Sequence, residues 1–240
     1  MTKTIAFALY PGCTPLDLVG PLQVLTGLTA FDPSYEVVVA GADTRTPADT
    51  DTPLRLLASH TFEQIPRPAV LVVPGGGEPT LAALADESLV GWIREAAPTA
   101  DVVASVCSGS LLLGAAGLLE GRRATTHWGL RWMLPAFGAE PVAERWVESG
   151  PVLTGAGVAA GIDMALHLAA RLAGEAVARK IQLMIEYDPE PPLGGIDWGS
   201  PDIAGFGPMF DEMVRTALAD QPALLARVTE RTGPAAGDPR

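Results

Sequence analysis

Apolar residues along this chain fall into short, nearly unbroken runs separated by longer stretches of helical period. Residues 3–10 alternate little, as a parallel strand buried on both faces does. Further strands are expected over 35–40, 69–73 and 102–106, with a shorter one over 54–58 in a side hairpin. Thr14 and Pro15 open a helix that runs to about Leu28, with Thr14 as its cap and a kink at Gly20-Pro21. Helical patterns follow over 80–97, 108–117, 128–137, 159–172 and 175–187. Ser149-Gly150-Pro151 is a turn between strands at 145–148 and 152–154, and residues 123–126 are a weaker strand. Residues 188–208, rich in Pro and Gly, are expected as an ordered loop, and 211–231 as a terminal helix interrupted by Pro222.

Strands alternating with helices, without an internal repeat or a composition break, predict an α/β fold with a doubly wound, mostly parallel sheet. One domain over 1–233 is expected, with a frayed tail over 234–240. In such sheets ligands bind outside the carboxyl ends of the strands. Three segments fall there: Pro11 to Asp17, the glycines Gly75-Gly76-Gly77, and Cys107-Ser108.

Composition narrows the partners. The chain is 48% hydrophobic and 18% charged, enough for a sizeable core, and its formal net charge is −12. There is no run of Lys and Arg, so a nucleic-acid partner is not expected. No uncharged apolar run is long enough to span a bilayer. Two cysteines and a strand-like opening without a cleavage pattern point to a reducing cytoplasm.

The segment from Val102 to Gly114 carries the most chemistry. A strand ends at Cys107 and a helix starts directly after it, with Ser105 and Gly109 as small neighbours two residues away. That is the layout of a nucleophile elbow, with sulfur in place of oxygen. A lone cysteine is ordinarily core packing; this context favours a nucleophile. A helix start also favours thiolate. Gly75 to Gly77 are a permissive turn or, beside a nucleophile, a source of N–H groups for developing negative charge. The N–H groups of Gly76 and Ser108 are the nominated pair, with Gly77 beside them. No phosphate-loop lysine follows the glycines. Asp17 either complements its helix dipole or, half-buried between Leu16 and Leu18, carries a proton near neutral pH. His127 is placed to line the pocket; His60 is expected exposed, and His167 as a packing residue within its helix. Three histidines at these spacings make no zinc site, and no metal or other cofactor is expected.

These residues resemble the DJ-1/PfpI superfamily, of class I glutamine amidotransferase-like (flavodoxin-like) fold. The likeness covers nearly the whole chain. It runs through Leu16-Asp17-Leu18-Val19-Gly20-Pro21, Val72-Val73-Pro74-Gly75-Gly76, Ala104 to Ser110, Ala124-Thr125-Thr126-His127-Trp128, Gly161 to Leu166 and Gln182 to Pro192. Within the superfamily the chain is most similar to isonitrile (isocyanide) hydratases. That resemblance implies the reaction R–N≡C + H₂O → R–NH–CHO, a small isonitrile as partner, and a homodimer. It places Cys107 as nucleophile and Asp17 as proton carrier, with Ser108, where that family often has Thr, bonded through its hydroxyl to Asp17 or to the water. Other branches fit less well. PfpI-like proteins place His after the nucleophile, glutamine amidotransferases use a late His-x-Glu, and DJ-1 has Glu at the position of Asp17. Regulators of the AraC type share Thr-His-Trp but add a DNA-binding helix pair. A ligand or redox sensor and glyoxalase-like carbonyl chemistry remain the alternatives.

Overall fold

A computed structural model describes residues 2–230. The first half contains β1 (Lys3–Ala8), α1 (Pro15–Thr29), β2 (Tyr35–Gly41), β3 (Ala48–Asp49), β4 (Arg55–Leu56), β5 (His60–Thr61), β6 (Val70–Val73), α2 (Glu78–Ala82) and α3 (Glu87–Ala96). The second half adds β7 (Val102–Val106), α4 (Gly109–Ala115), β8 (Arg123–Ala124), β9 (Glu140–Pro141), β10 (Trp146–Ser149), β11 (Val152–Gly155), α5 (Ala160–Ala173), α6 (Glu175–Met184), α7 (Pro201–Gly205), α8 (Gly207–Ala217) and α9 (Pro222–Glu230).

Seven strands form the main sheet in the order β10-β11-β7-β6-β1-β2-β5. All neighbours run parallel except β10 against β11. The central strands are buried throughout β6 and β7 and from Ile5 to Ala8 in β1, which is why their sequences show no alternation. From β1 the chain steps through α1 to β2; from β6 it steps through α2 and α3 to β7, in the opposite direction. Right-handed crossovers then put α1 and α2–α3 on opposite faces. The reversal lies between β1 and β6, so the loops after these two strands flank a switch-point crevice. They are tied together: the Thr14 N–H donates to the Gly75 carbonyl at 2.8 Å, and Cys13 bridges Gly76.

The strand pattern and the parallel sheet agree with the sequence; several local expectations do not. The helix expected over 80–97 breaks at Asp86, whose carboxylate accepts the N–H groups of Ser88 and Leu89 and starts α3 afresh. The 128–137 segment is 3₁₀ rather than α, with Pro135 inside it and Gly138 ending it at φ 75°. His60 is not an exposed hairpin residue: it is half-buried in β5, paired with Ala40 of β2. Thr14 does not cap α1, because its hydroxyl bonds Asp51. The expected loop over 188–208 contains α7, and α8 begins at Gly207; Pro222 opens α9 rather than interrupting a helix. Residues 231–240, including the expected domain end and tail, lie outside the described residues.

Candidate active site

Cys107 sits at the sharp turn from β7 into α4 with φ 57°, in the left-handed region that a side chain rarely adopts. That conformation costs about 1–3 kcal/mol and persists only where its surroundings over-determine it. Here its N–H points at the carbonyls of Gly155 and Ala156, at 3.1 and 3.0 Å. Its own carbonyl accepts the hydroxyls of Thr126 at 2.9 Å and Ser110 at 3.3 Å. The turn also needs Gly109, since a Cβ there would lie 2.2 Å from the Val73 carbonyl oxygen. Gly75 is equally obligatory: a Cβ would lie 2.5 Å from the Ser108 nitrogen. The small residues legible in the sequence therefore mark a close approach of β6, β7 and α4.

Asp17, in the first turn of α1, is fully buried and reaches across the switch point. The Gly75 N–H donates to its Oδ2 at 3.2 Å, and the Cys107 thiol lies close enough to lower the carboxyl's pKa. Its Oδ1 is buried without a hydrogen-bond partner. Burial raises the Asp17 pKa to about 7, opposed by the Cys107 and Gly75 hydrogen bonds and reinforced by the charge of Asp51. Burial also pushes the Cys107 thiol well above its ordinary range, and the negative Asp17 adds to that. The Ser108 and Val158 N–H groups pull it down by less. Desolvation and the neighbouring carboxylate thus oppose the thiolate that the helix start favours.

Ser108 and Gly76 meet, but differently from expectation. The Ser108 hydroxyl does not contact Asp17. It accepts the Gly76 N–H at 2.8 Å and donates to the Gly76 carbonyl at 2.6 Å. The Gly76 N–H is thus engaged and is not aimed at a reacting atom; the N–H groups that bear on Cys107 and Asp17 belong to Ser108, Val158 and Gly75. Gly77 faces open space at the start of α2. His127 is drawn to the site through its neighbour Thr126 and through Gly157, where a Cβ would lie 2.8 Å from the imidazole. Burial lowers the His127 pKa to about 4, so the ring is neutral at pH 7. Its Nδ1 accepts the Gly129 N–H at 3.3 Å.

Other contributors were not singled out from sequence. Tyr10 pins the glycine turn, its hydroxyl 2.9 Å from both the Pro74 carbonyl and Thr80 Oγ1. Gly75 was visible as part of a triple glycine, and Thr126 as part of the Thr-Thr-His-Trp run. Phe210, whose ring lies against His127, left no such signal. His167 pairs with Glu148 of β10 and lies against the Trp146 ring. Cys13 and Cys107 are both free thiols. Among the described residues no three His, Cys, Asp or Glu side chains converge as metal ligands, and no helix is long and apolar enough to cross a membrane.

Similarity to known proteins agrees with this architecture. An isonitrile hydratase from Pseudomonas putida is 44% identical over 232 residues, covering 96% of both chains. The crystal structure of a THiJ/PfpI family protein from Pseudomonas syringae superposes with a TM-score of 0.78 at 34% identity, covering 97% of this chain and 91% of that one. The HTH-type transcriptional regulator CdhR from Pseudomonas aeruginosa is 29% identical over 184 residues, 75% of this chain but 54% of its own. The sequence profile of the DJ-1/PfpI family matches residues 3–171, and the chain belongs to that family.

Proposed function

We propose that the protein is an isonitrile hydratase, a cofactor-independent hydro-lyase that converts R–N≡C and water to R–NH–CHO. The observation that carries this reading is the buried Asp17 carboxyl coupled to the buried Cys107 thiol, in a chain 44% identical over nearly its whole length to a protein of that activity. The turn at Cys107 is read as a nucleophile elbow.

An isonitrile carbon is a weak electrophile, and covalent addition divides its hydration into two easier steps. Asp17 and Cys107 begin with one proton between them. The Cys107 sulfur bonds the terminal carbon while that proton passes through Asp17 to the same carbon. C≡N becomes C=N, and the product is the thioimidate R–N=CH–S–Cys. Asp17, now a carboxylate, takes a proton from a water that adds to the imidate carbon, and returns it to nitrogen. The intermediate R–NH–CH(OH)–S–Cys collapses: the C–S bond breaks, the hydroxyl proton goes to sulfur, and the formamide leaves. An Asp17 pKa of about 7 suits a group that both gives and takes a proton near neutrality. Ser108 acts indirectly, by holding Gly76 and with it the adjacent Gly75 N–H on Asp17. His127 supplies a neutral wall, and Gly77 leaves space at the rim. A homodimer in a reducing cytoplasm accompanies this reading, with residues 1–233 as one catalytic unit; light scattering checks the oligomeric state.

The test is formamide production from cyclohexyl isocyanide and p-nitrophenyl isocyanide by reduced wild type and Cys107→Ala. Turnover by wild type alone supports the reading. No turnover by either overturns it, and the same preparations are then tried on methylglyoxal. Equal turnover by both removes Cys107 from the mechanism.

A further inference from the structure

Tyr10 is a buried titratable group that the hydration mechanism leaves unused. It lies two residues past β1 and is 3% exposed. A phenylalanine would fill the same core, and burying a phenol costs free energy unless its hydroxyl is bonded. Here the hydroxyl is bonded twice. It donates to the Pro74 carbonyl at 2.9 Å and meets Thr80 Oγ1, also at 2.9 Å. A phenol has one proton, so with that proton on the Pro74 carbonyl the Thr80 hydroxyl donates the second bond. Thr80 is itself fully buried against Gly76, where a Cβ would lie 2.6 Å from its Oγ1. Burial holds the Tyr10 pKa well above its ordinary value, so the donor is present around neutral pH.

The Pro74 carbonyl and the Gly75 N–H are the two ends of one peptide group, and in a trans peptide they point in opposite directions. Tyr10 therefore holds one end, while the other donates to Asp17 Oδ2 at 3.2 Å. The next peptide is gripped in the same way, by the Thr14 N–H on the Gly75 carbonyl and by Ser108 Oγ on the Gly76 N–H, each at 2.8 Å. Without such grips a run of glycines has many conformations open to it. Asp17 Oδ1 is buried without a hydrogen-bond partner, so the carboxylate depends on what reaches Oδ2. A donor on the carbonyl polarises the peptide and strengthens its N–H as a donor in turn.

We propose that Tyr10 is a positioning residue for the proton carrier: acting through the Pro74–Gly75 peptide, its hydroxyl holds the Gly75 N–H on Asp17 and steadies the carboxylate that Asp17 becomes in mid-reaction. Thr80 supports it by donating to the phenol oxygen. The titratable groups that bear on Asp17 come from three elements. They are Tyr10 and Cys13 from the loop after β1, Asp51 from the turn between β3 and β4, and Cys107 from the end of β7. Burial keeps Tyr10 and Cys13 neutral around pH 7, so neither titrates along with Asp17. The Asp51 charge raises the Asp17 pKa, and the Gly75 N–H lowers it. Loosening that N–H therefore moves the carboxyl further up.

The kinetic consequence rests on the hydratase reading, and the experiment separates the two. The variant is Tyr10→Phe, which keeps the ring and removes the hydroxyl. The Asp17 carboxyl is titrated by carbon-13 NMR in protein labelled at its aspartate carboxyl carbons, with Asp17→Asn identifying the signal. Its midpoint, about 7 in wild type, is expected to rise by about half a pH unit in Tyr10→Phe. The acid limb of kcat/KM on cyclohexyl isocyanide should move up with it, a loss of about threefold near pH 6 that fades by about pH 8. Thr80→Val leaves the Tyr10 bond to Pro74 in place and should move both in the same direction by less; it decides the matter if Tyr10→Phe does not fold. An unmoved midpoint, or a loss of turnover equal at every pH, overturns the proposal. If wild type hydrates no isocyanide, the hydratase reading fails, and the carboxyl titration alone decides the role of Tyr10.

Discussion

The two cysteines of this protein make an instructive pair. Both are buried at the carboxyl edge of the sheet, and both feel the charge of Asp17. Burial raises the thiol pKa of each, to about 12 for Cys13. Cys13 follows β1 in a loop bridged to Gly76, and Asp17 acts on it only as a distant charge. Cys107 sits on a backbone forced into φ 57°, and its thiol and the Asp17 carboxyl shift each other's pKa. Burial and acidity thus fail to separate the two thiols. What separates them is the left-handed strand-to-helix turn, which Cys107 has and Cys13 lacks.

The largest effect expected from this contrast is on turnover. Cys107→Ala should lower formamide production by at least about 10³-fold, since it removes the bond-forming atom. Cys13→Ala should leave kcat near the wild-type value while costing some stability. A comparable loss in both would mean that packing, not nucleophilicity, is being measured.

Next in size is Asp17→Asn, which keeps an acceptor for the Gly75 N–H but cannot move a proton. Turnover should fall by about 10²–10⁴-fold. Stability should move the other way. The folded pKa of Asp17, about 7, lies above the unfolded value near 4, so the folded state holds the extra proton between these limits. Wild-type stability therefore declines as pH rises from about 4 to about 7, and the asparagine variant lacks that decline. Thermal melts at pH 5 and pH 8 check it: the Tm advantage of Asp17→Asn should be larger at pH 8.

Ser108→Ala should have a smaller effect. It strips the partner from two buried backbone groups of Gly76, at a cost of about 1–3 kcal/mol by denaturant unfolding. Turnover should fall less than in Asp17→Asn, because Ser108 positions the glycine turn rather than the proton. Ser108→Thr keeps the hydroxyl and should recover most of the loss.

The effect of His127 is confined to acid pH and leaves turnover at neutral pH aside. Its folded pKa of about 4 lies below the unfolded value of 6.5, so the folded state binds fewer protons between them. Wild type loses stability as pH falls through that window, by roughly 3 kcal/mol at most. His127→Gln should flatten this acid limb; an unchanged limb would show that the imidazole is not buried as described.

Local pattern made much of this molecule legible. Unbroken apolar runs gave the central strands, and Ser105, Cys107 and Gly109 gave the turn. Misjudged elements were those decided by distant partners. Thr14 prefers Asp51, some 37 positions away, to its own helix. Gly76 gives its N–H to Ser108 across 32 positions. Phe210 reaches His127 from the far end of the chain.

By itself, then, the sequence determined the parallel α/β sheet and the strand-end segments of Asp17, Gly75 and Cys107 that meet at one edge. Periodicity and the steric demands of glycine act over a few residues, so those features are written locally. Only the tertiary structure decided that the Gly75 and Gly76 N–H groups go to Asp17 and Ser108, that burial pushes the Cys107 thiol up, and that Phe210 packs on His127. Desolvation, proton sharing and ring packing depend on what surrounds a group in space, and residues far apart in the chain supply those surroundings.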